Sequence, residues 1–108
     1  MSGLEASEAE ISKAILNYLR MKGYLAKRNQ SGVMRSSYNG HERFVHMGEK
    51  GWPDIIGCTK DGVFFGIEIK SRQGKTTPDQ DRILREMRES NAIAFVARSI
   101  DDVVAQGL

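Results

Sequence analysis

The sequence predicts an α/β fold, a central sheet flanked by helices, in the order α-β-(β-hairpin)-β-β-α-β-α. Three observations predict it. Two capping boxes, Ser7-Glu-Ala-Glu10 and Thr77-Pro-Asp-Gln80, each open a helical stretch. Short apolar runs between them are separated by Asn39-Gly40 and Asp61-Gly62, dipeptides that favour two-residue hairpin turns. A last apolar run, Ala92-Ile-Ala-Phe-Val-Ala97, returns a strand after the second helix. The chain has 108 residues, which sets the expectation of a single domain over 1–108 with one modest core.

The first helix runs from its N-cap Ser7 to about Lys22, and Gly23 ends it. Ile11, Ala14, Ile15, Tyr18 and Leu19 recur at helical spacing and form its expected apolar stripe. Tyr24 to Arg28 reads as the first strand. Val33 to Tyr38 and Glu42 to Met47 flank Asn39-Gly40 as a hairpin with a type I′ turn. A glycine-bounded loop, Gly48 to Gly51, leads into a strand containing Pro53-Asp54 and continuing to Thr59. After the Lys60-Asp-Gly62 turn come Val63-Phe-Phe65 and the strand Gly66 to Ser71. A polar loop to Thr76 precedes the second helix, with Thr77 as N-cap and Pro78 at its first position, ending near Ser90. Ser99-Ile-Asp-Asp102 starts a short C-terminal helix.

Composition is that of a globular chain, 40% hydrophobic and 28% charged, with no apolar run as long as a membrane span. No membrane partner is therefore expected. The N-terminus lacks a basic region followed by an apolar stretch, so no signal peptide is expected. The single Cys58 cannot form an internal disulfide or a zinc site, which points to an intracellular, cytoplasmic protein. A net charge of +2 does not by itself announce nucleic acid.

The chemistry concentrates in Gly51-Trp-Pro-Asp54 and Glu68-Ile-Lys70. Strand side chains alternate, so Glu68 and Lys70 share one face while Ile67 and Ile69 take the other. An antiparallel hairpin turned at Asp61-Gly62 folds Asp54 back toward Glu68. Two carboxylates suit a hard divalent cation, Mg2+ or Mn2+, completed by waters and phosphate oxygens. Such an ion lowers the pKa of bound water and stabilises charge on a scissile phosphate. Lys70 would orient the attacking water or neutralise the transition state. An isolated Glu-x-Lys is usually a surface ion pair. Here apolar flanks make two charges costly unless they serve a purpose.

Other residues read two ways. Glu8 lies roughly 60° from Ile11 on the helical wheel, on the apolar face. It either favours the helix dipole or reaches the sheet end as a third acidic group, and the residues leave these even. Glu10 already serves the cap. Gln80 fills N3 of its capping box, which accounts for it adequately; the alternative is a bond to a water or phosphate near Lys70. Arg35, His41, Arg43, His46 and Lys50 gather around the Asn39-Gly40 turn and the loop before Asp54, while Arg72 and Lys75 follow the Glu68-Lys70 strand. They could track phosphates, or simply solvate a hairpin and its loops. Trp52 either packs under the site or stacks on a base, with packing favoured.

Taken in order, these motifs resemble the PD-(D/E)XK nuclease superfamily, and within it the small stand-alone VRR-NUC (virus-type replication-repair nuclease) proteins of phages. The resemblance spans nearly the whole chain. It rests on Glu8-Ala-Glu-Ile11, Gly51-Trp-Pro-Asp54, Glu68-Ile-Lys70, Pro78-Asp-Gln80 and the last strand ending Phe95-Val-Ala-Arg98. One departure is Ser12, where many relatives carry Gln. The resemblance implies a restriction-endonuclease-like fold with a mixed central sheet, and DNA hydrolysis dependent on Mg2+ or Mn2+. It implies that Asp54, Glu68 and the Ile69 backbone carbonyl bind metal, with Glu8 assisting directly or through water, and that Lys70 and Gln80 join the catalytic set. It further implies branched DNA as substrate, a four-way junction above all, cut by a homodimer whose interface is the Val33–Met47 hairpin or the C-terminal helix with Val103 and Val104. The setting would be the cytoplasm of a bacterial host, whether the protein is phage-encoded or bacterial. A monomeric flap or nicking nuclease and a non-catalytic DNA-binding module are the competing expectations.

Overall fold

The structure, a computed structural model, describes residues 5–29, 32–47 and 49–108, and for residues 32–38 and 43–47 the backbone alone. The elements follow the expected order: α1 (Glu8–Met21), β1 (Leu25–Arg28), β2 (Gly32–Tyr38), β3 (His41–Met47), β4 (Ile55–Cys58), β5 (Phe64–Ile69), α2 (Pro78–Glu89), β6 (Ile93–Ala97) and α3 (Ile100–Ala105).

Both capping boxes form. Ser7 Oγ accepts from Glu10 N at 3.1 Å while Glu10 Oε1 accepts from Ser7 N at 3.0 Å. Thr77 and Gln80 repeat the exchange at 3.2 and 3.0 Å. Gly23, at φ +85°, turns the chain out of α1. Asn39 (φ +51°) and Gly40 (φ +77°) supply the two positive φ values that a type I′ turn needs.

The four-stranded sheet has the order β1-β4-β5-β6. β1–β4 and β4–β5 are antiparallel, whereas β5–β6 is parallel and joined through α2, so the sheet is mixed. β2 and β3 pair as a separate hairpin between β1 and β4. α1 and α3 cover one face of the main sheet and α2 the other. Beneath α1 and α3, Ile15, Leu19, Ile55, Phe65, Ile67, Ile69 and Val103 make the larger core. Beneath α2, Ile83, Leu84, Met87 and Ala94 make a smaller one, with Trp52 packed on its edge.

Two details differ from the expected elements. The buried row of α1 is Ile11, Ser12, Ile15, Leu16 and Leu19, whereas Ala14 is exposed. The sheet lies under the 12/16 row, where larger Leu16 offers more apolar area than Ala14. The strand expected to contain Pro53-Asp54 begins only at Ile55. Proline has no N–H with which to continue the ladder, so pairing stops there. Among the described residues no helix is long and apolar enough to cross a membrane.

Candidate active site

The register of one strand pair builds the centre of the site. β4 and β5 pair Ile55 with Ile67. One further step sets Asp54 directly opposite Glu68. Ile55 and Ile67 are fully buried in the α1-side core, so Asp54 and Glu68 share the other face. Glu68 is only 3% exposed, and among the described residues it and Ser12 are the buried polar ones. Gly66 lies two residues before it on the same face. A Cβ there would strike the Met87 side chain and come within 2.8 Å of Pro53 Cγ, so glycine lets α2 and the Pro53 segment close over the strand.

Burial, and then the hydrogen bond and charge of Asp54, push the Glu68 carboxyl up to about 8, against an opposing pull from Lys70. The cause is physical: two carboxylates are pressed together where water is scarce. Glu68 therefore holds its proton at neutral pH when nothing else neutralises the pair. Lys70 Nζ lies 3.4 Å from Glu68 Oε2. Its side chain is 12% exposed, so the ammonium sits at the mouth of the site.

Asp54 is held by its neighbours. Its Oδ2 accepts from Ile69 N at 2.8 Å, and its backbone carbonyl accepts from Asn29 N at 2.7 Å. In an extended strand a residue's N–H and C=O share a side, so continuing the β4–β5 register would set the Ile69 carbonyl opposite Pro53, which has no N–H to give. Two adjacent carboxylates and a peptide carbonyl facing a proline form an all-oxygen donor set, which fits a hard divalent cation. A cation would also relieve the repulsion that keeps Glu68 protonated.

Glu8 stands at the neighbouring end of α1. It is exposed, and its Oε2 accepts from Ser71 N at 3.3 Å, one residue beyond Lys70. It reaches the sheet end, as expected of a third acidic group, but among the described residues it does not join Asp54 and Glu68 in a three-acid cluster. Gln80 spends its side-chain oxygen on the Thr77 cap, and no hydrogen bond described here links it to Lys70. Its helix is nevertheless docked on the motif loop: Gly51, at φ +92°, would bring a Cβ within 2.9 Å of the Asp79 carbonyl. Lys50 rests 3.6 Å from Asp79, and Arg72 lies 3.3 Å from Glu5. Lys75 is exposed on the same loop as Arg72. Trp52 packs as favoured, with its indole N–H donating to Glu49 Oε2 at 2.6 Å. The side chains of Arg35, Arg43 and His46 lie outside the described residues.

Two residues that sequence reasoning did not place in the site are engaged there. Arg98, at the end of β6, donates through Nη1 to the carbonyls of Ser71 and Gly74, the latter at 2.8 Å, and so grips the loop after Lys70. Asn29, at the end of β1, donates through Nδ2 to the Pro53 carbonyl at 3.0 Å. The Phe95-Val-Ala-Arg98 ending hinted at the first. Nothing in the sequence singled out the second.

No protein-family model matches the sequence, and no curated protein does. Among solved structures the chain is similar to one described as a VRR_NUC domain. The two are 24% identical, the likeness covers 93% of this chain and 94% of that chain, and the TM-score is 0.63. The chain thus has the fold of that domain over almost its whole length, a small α/β fold with a mixed sheet flanked by helices.

Proposed function

We propose that the protein is a Mg2+- or Mn2+-dependent DNA endonuclease of the VRR-NUC branch of the PD-(D/E)XK nucleases. The observation that carries this reading is Asp54 opposite Glu68 with Lys70 Nζ 3.4 Å from the Glu68 carboxylate. Asp54, Glu68 and the Ile69 carbonyl would hold the cation, and Glu8 stands by the same sheet end. When bound, the cation supplies charge neutralisation at the scissile phosphate and makes water a better nucleophile.

The chain's own residues do the rest. Glu68, as a carboxylate, would hold Lys70 in place through their 3.4 Å ion pair. The Lys70 ammonium, at the mouth of the site, orients the attacking water and offsets charge that builds on the phosphate oxygens. Lys50, Arg72 and Lys75, together with Arg35, Arg43 and His46 of the hairpin, guide the DNA backbone past this point without reading bases. Gln80 acts through the helix start that it caps.

The preferred substrate in this reading is branched DNA, a four-way junction, cut in pairs by a homodimer whose two sites face opposite strands. End-labelled four-way junction, flap, splayed-arm and linear duplex DNA, each with Mg2+, Mn2+ or EDTA, test it alongside sedimentation of the free protein. Metal-dependent paired cuts confined to the junction, made by a dimer, are expected. Preferential cutting of flaps by a monomer would keep the site and replace the junction reading. Binding of every substrate with cleavage of none would make the protein a DNA-binding module.

A further inference from the structure

We infer that Asn29 is a positioning residue for the Asp54 carboxylate, and this inference rests on the reading of Asp54 and Glu68 as a metal site. The β4–β5 ladder ends at the pair Ile55 and Ile67. Continuation of the β4–β5 register would pair Ile69 with Pro53, and the Ile69 N–H would then donate to the Pro53 carbonyl. It donates instead to Asp54 Oδ2, at 2.8 Å. That diversion aims the Asp54 carboxylate at β5, beside Glu68, and it leaves the carbonyl of buried Pro53 without its ladder donor.

Asn29 fills the vacancy from the other side. The β1–β4 register, Arg28 opposite Ile55, sets Asn29 opposite Asp54. The Asn29 backbone N–H donates to the Asp54 carbonyl at 2.7 Å, and its side-chain Nδ2 reaches one residue back to the Pro53 carbonyl at 3.0 Å. Both carbonyls of the Pro53-Asp54 segment are thereby anchored to β1. Asparagine suits the position because it offers a short side-chain N–H donor just past a strand end. With the Pro53 carbonyl already satisfied, nothing draws the Ile69 N–H away from Asp54. With Asn29 shortened, that N–H can swing to Pro53, and Asp54 loses the bond that points it at Glu68. The residue acts through Asp54 and need not touch metal or DNA.

Mn2+ affinity measured by calorimetry on the intact protein tests the assignment, with thermal unfolding of each variant alongside. Asn29→Ala is expected to fold and to bind Mn2+ about tenfold more weakly, the lower end of what loss of a ligand-orienting partner produces. Arg88→Ala is the control: it also removes one side-chain bond to a carbonyl, that of Ala94 at 2.9 Å, rather than one to the Pro53-Asp54 segment. Because that bond lies between α2 and β6 and touches neither Pro53 nor Asp54, the variant is expected to lower thermal stability with Mn2+ affinity unchanged. Should Asn29→Ala not fold, Asn29→Gln carries the same comparison, since it keeps the amide and displaces it by one methylene. Wild-type Mn2+ affinity in a folded Asn29 variant would overturn the assignment. Absence of Mn2+ binding by the wild-type protein would instead overturn the metal-site reading beneath it, and the assignment with it.

Discussion

Glu68 is the residue on which the chemistry turns, because its environment sets when it can be charged. Its carboxyl is raised from an ordinary 4.5 to about 8, by burial first and by Asp54 second. A carboxyl raised in the folded state binds its proton more tightly there than in the unfolded chain. Between pH 4.5 and 8 the folded state holds the proton that the unfolded chain has released, so stability falls as pH rises across that window. The metal-free protein is expected to lose on the order of a few kcal/mol over it, read as a falling unfolding temperature, and Glu68→Gln should flatten the profile. In the proposed function the same proton would compete with metal. Calorimetry in buffers of different ionisation enthalpy should record close to one proton released per Mn2+ bound near pH 7, and none in Glu68→Gln. Lys70 carries a different prediction. Lys70→Ala should lower junction cleavage by about 10²–10³-fold, as loss of one preorganised charge does, while junction binding stays near wild type because one amine adds little to total phosphate attraction.

At the scale of elements, the hairpin of β4 and β5 positions the site, and much of it was legible in the sequence. The Asp61-Gly62 turn, the alternation through Ile67, Glu68, Ile69 and Lys70, and the proline before Asp54 each have a local physical meaning. Together they bring Asp54 opposite Glu68. What escaped the sequence is what depends on three-dimensional neighbours. The apolar stripe of α1 shifted from Ala14 to Leu16 because the sheet decides which row is covered. Asn29 and Arg98 find their acceptors across the sheet, at carbonyls that no spacing rule connects to them. Gly66 belongs to the same class, since its role is set by Met87 and Pro53 on other elements. Gly66→Ala should force Pro53 and Met87 outward and lower stability by about 1–3 kcal/mol, as overpacking a closed contact does. Urea unfolding would read this as a lower midpoint at an unchanged slope.

For the whole molecule, the mixed sheet carries α1 and α3 on one face and α2 on the other, and the end of β5 that bears Glu68 and Lys70 runs into the Ser71–Thr76 loop. The fold class was legible because α1 and α2 announce their starts with capping boxes and turn residues separate the strands. Dimerisation and choice of substrate were not, since they depend on surfaces that meet another molecule. Exposed Arg72 and Lys75 follow the site strand, so each changed to Ala should reduce the slope of log affinity against log salt by about 1 with no change in preference among DNA sequences. The central claim is that the Asp54–Glu68 pair performs metal-dependent phosphodiester hydrolysis. Single-turnover cleavage of an end-labelled four-way junction by wild type and Asp54→Ala, with Mn2+ and with EDTA, tests it most directly. The account predicts cleavage by the wild type with Mn2+ alone and none by Asp54→Ala under either condition. Full cleavage by Asp54→Ala, or wild-type cleavage that persists in EDTA, would contradict it.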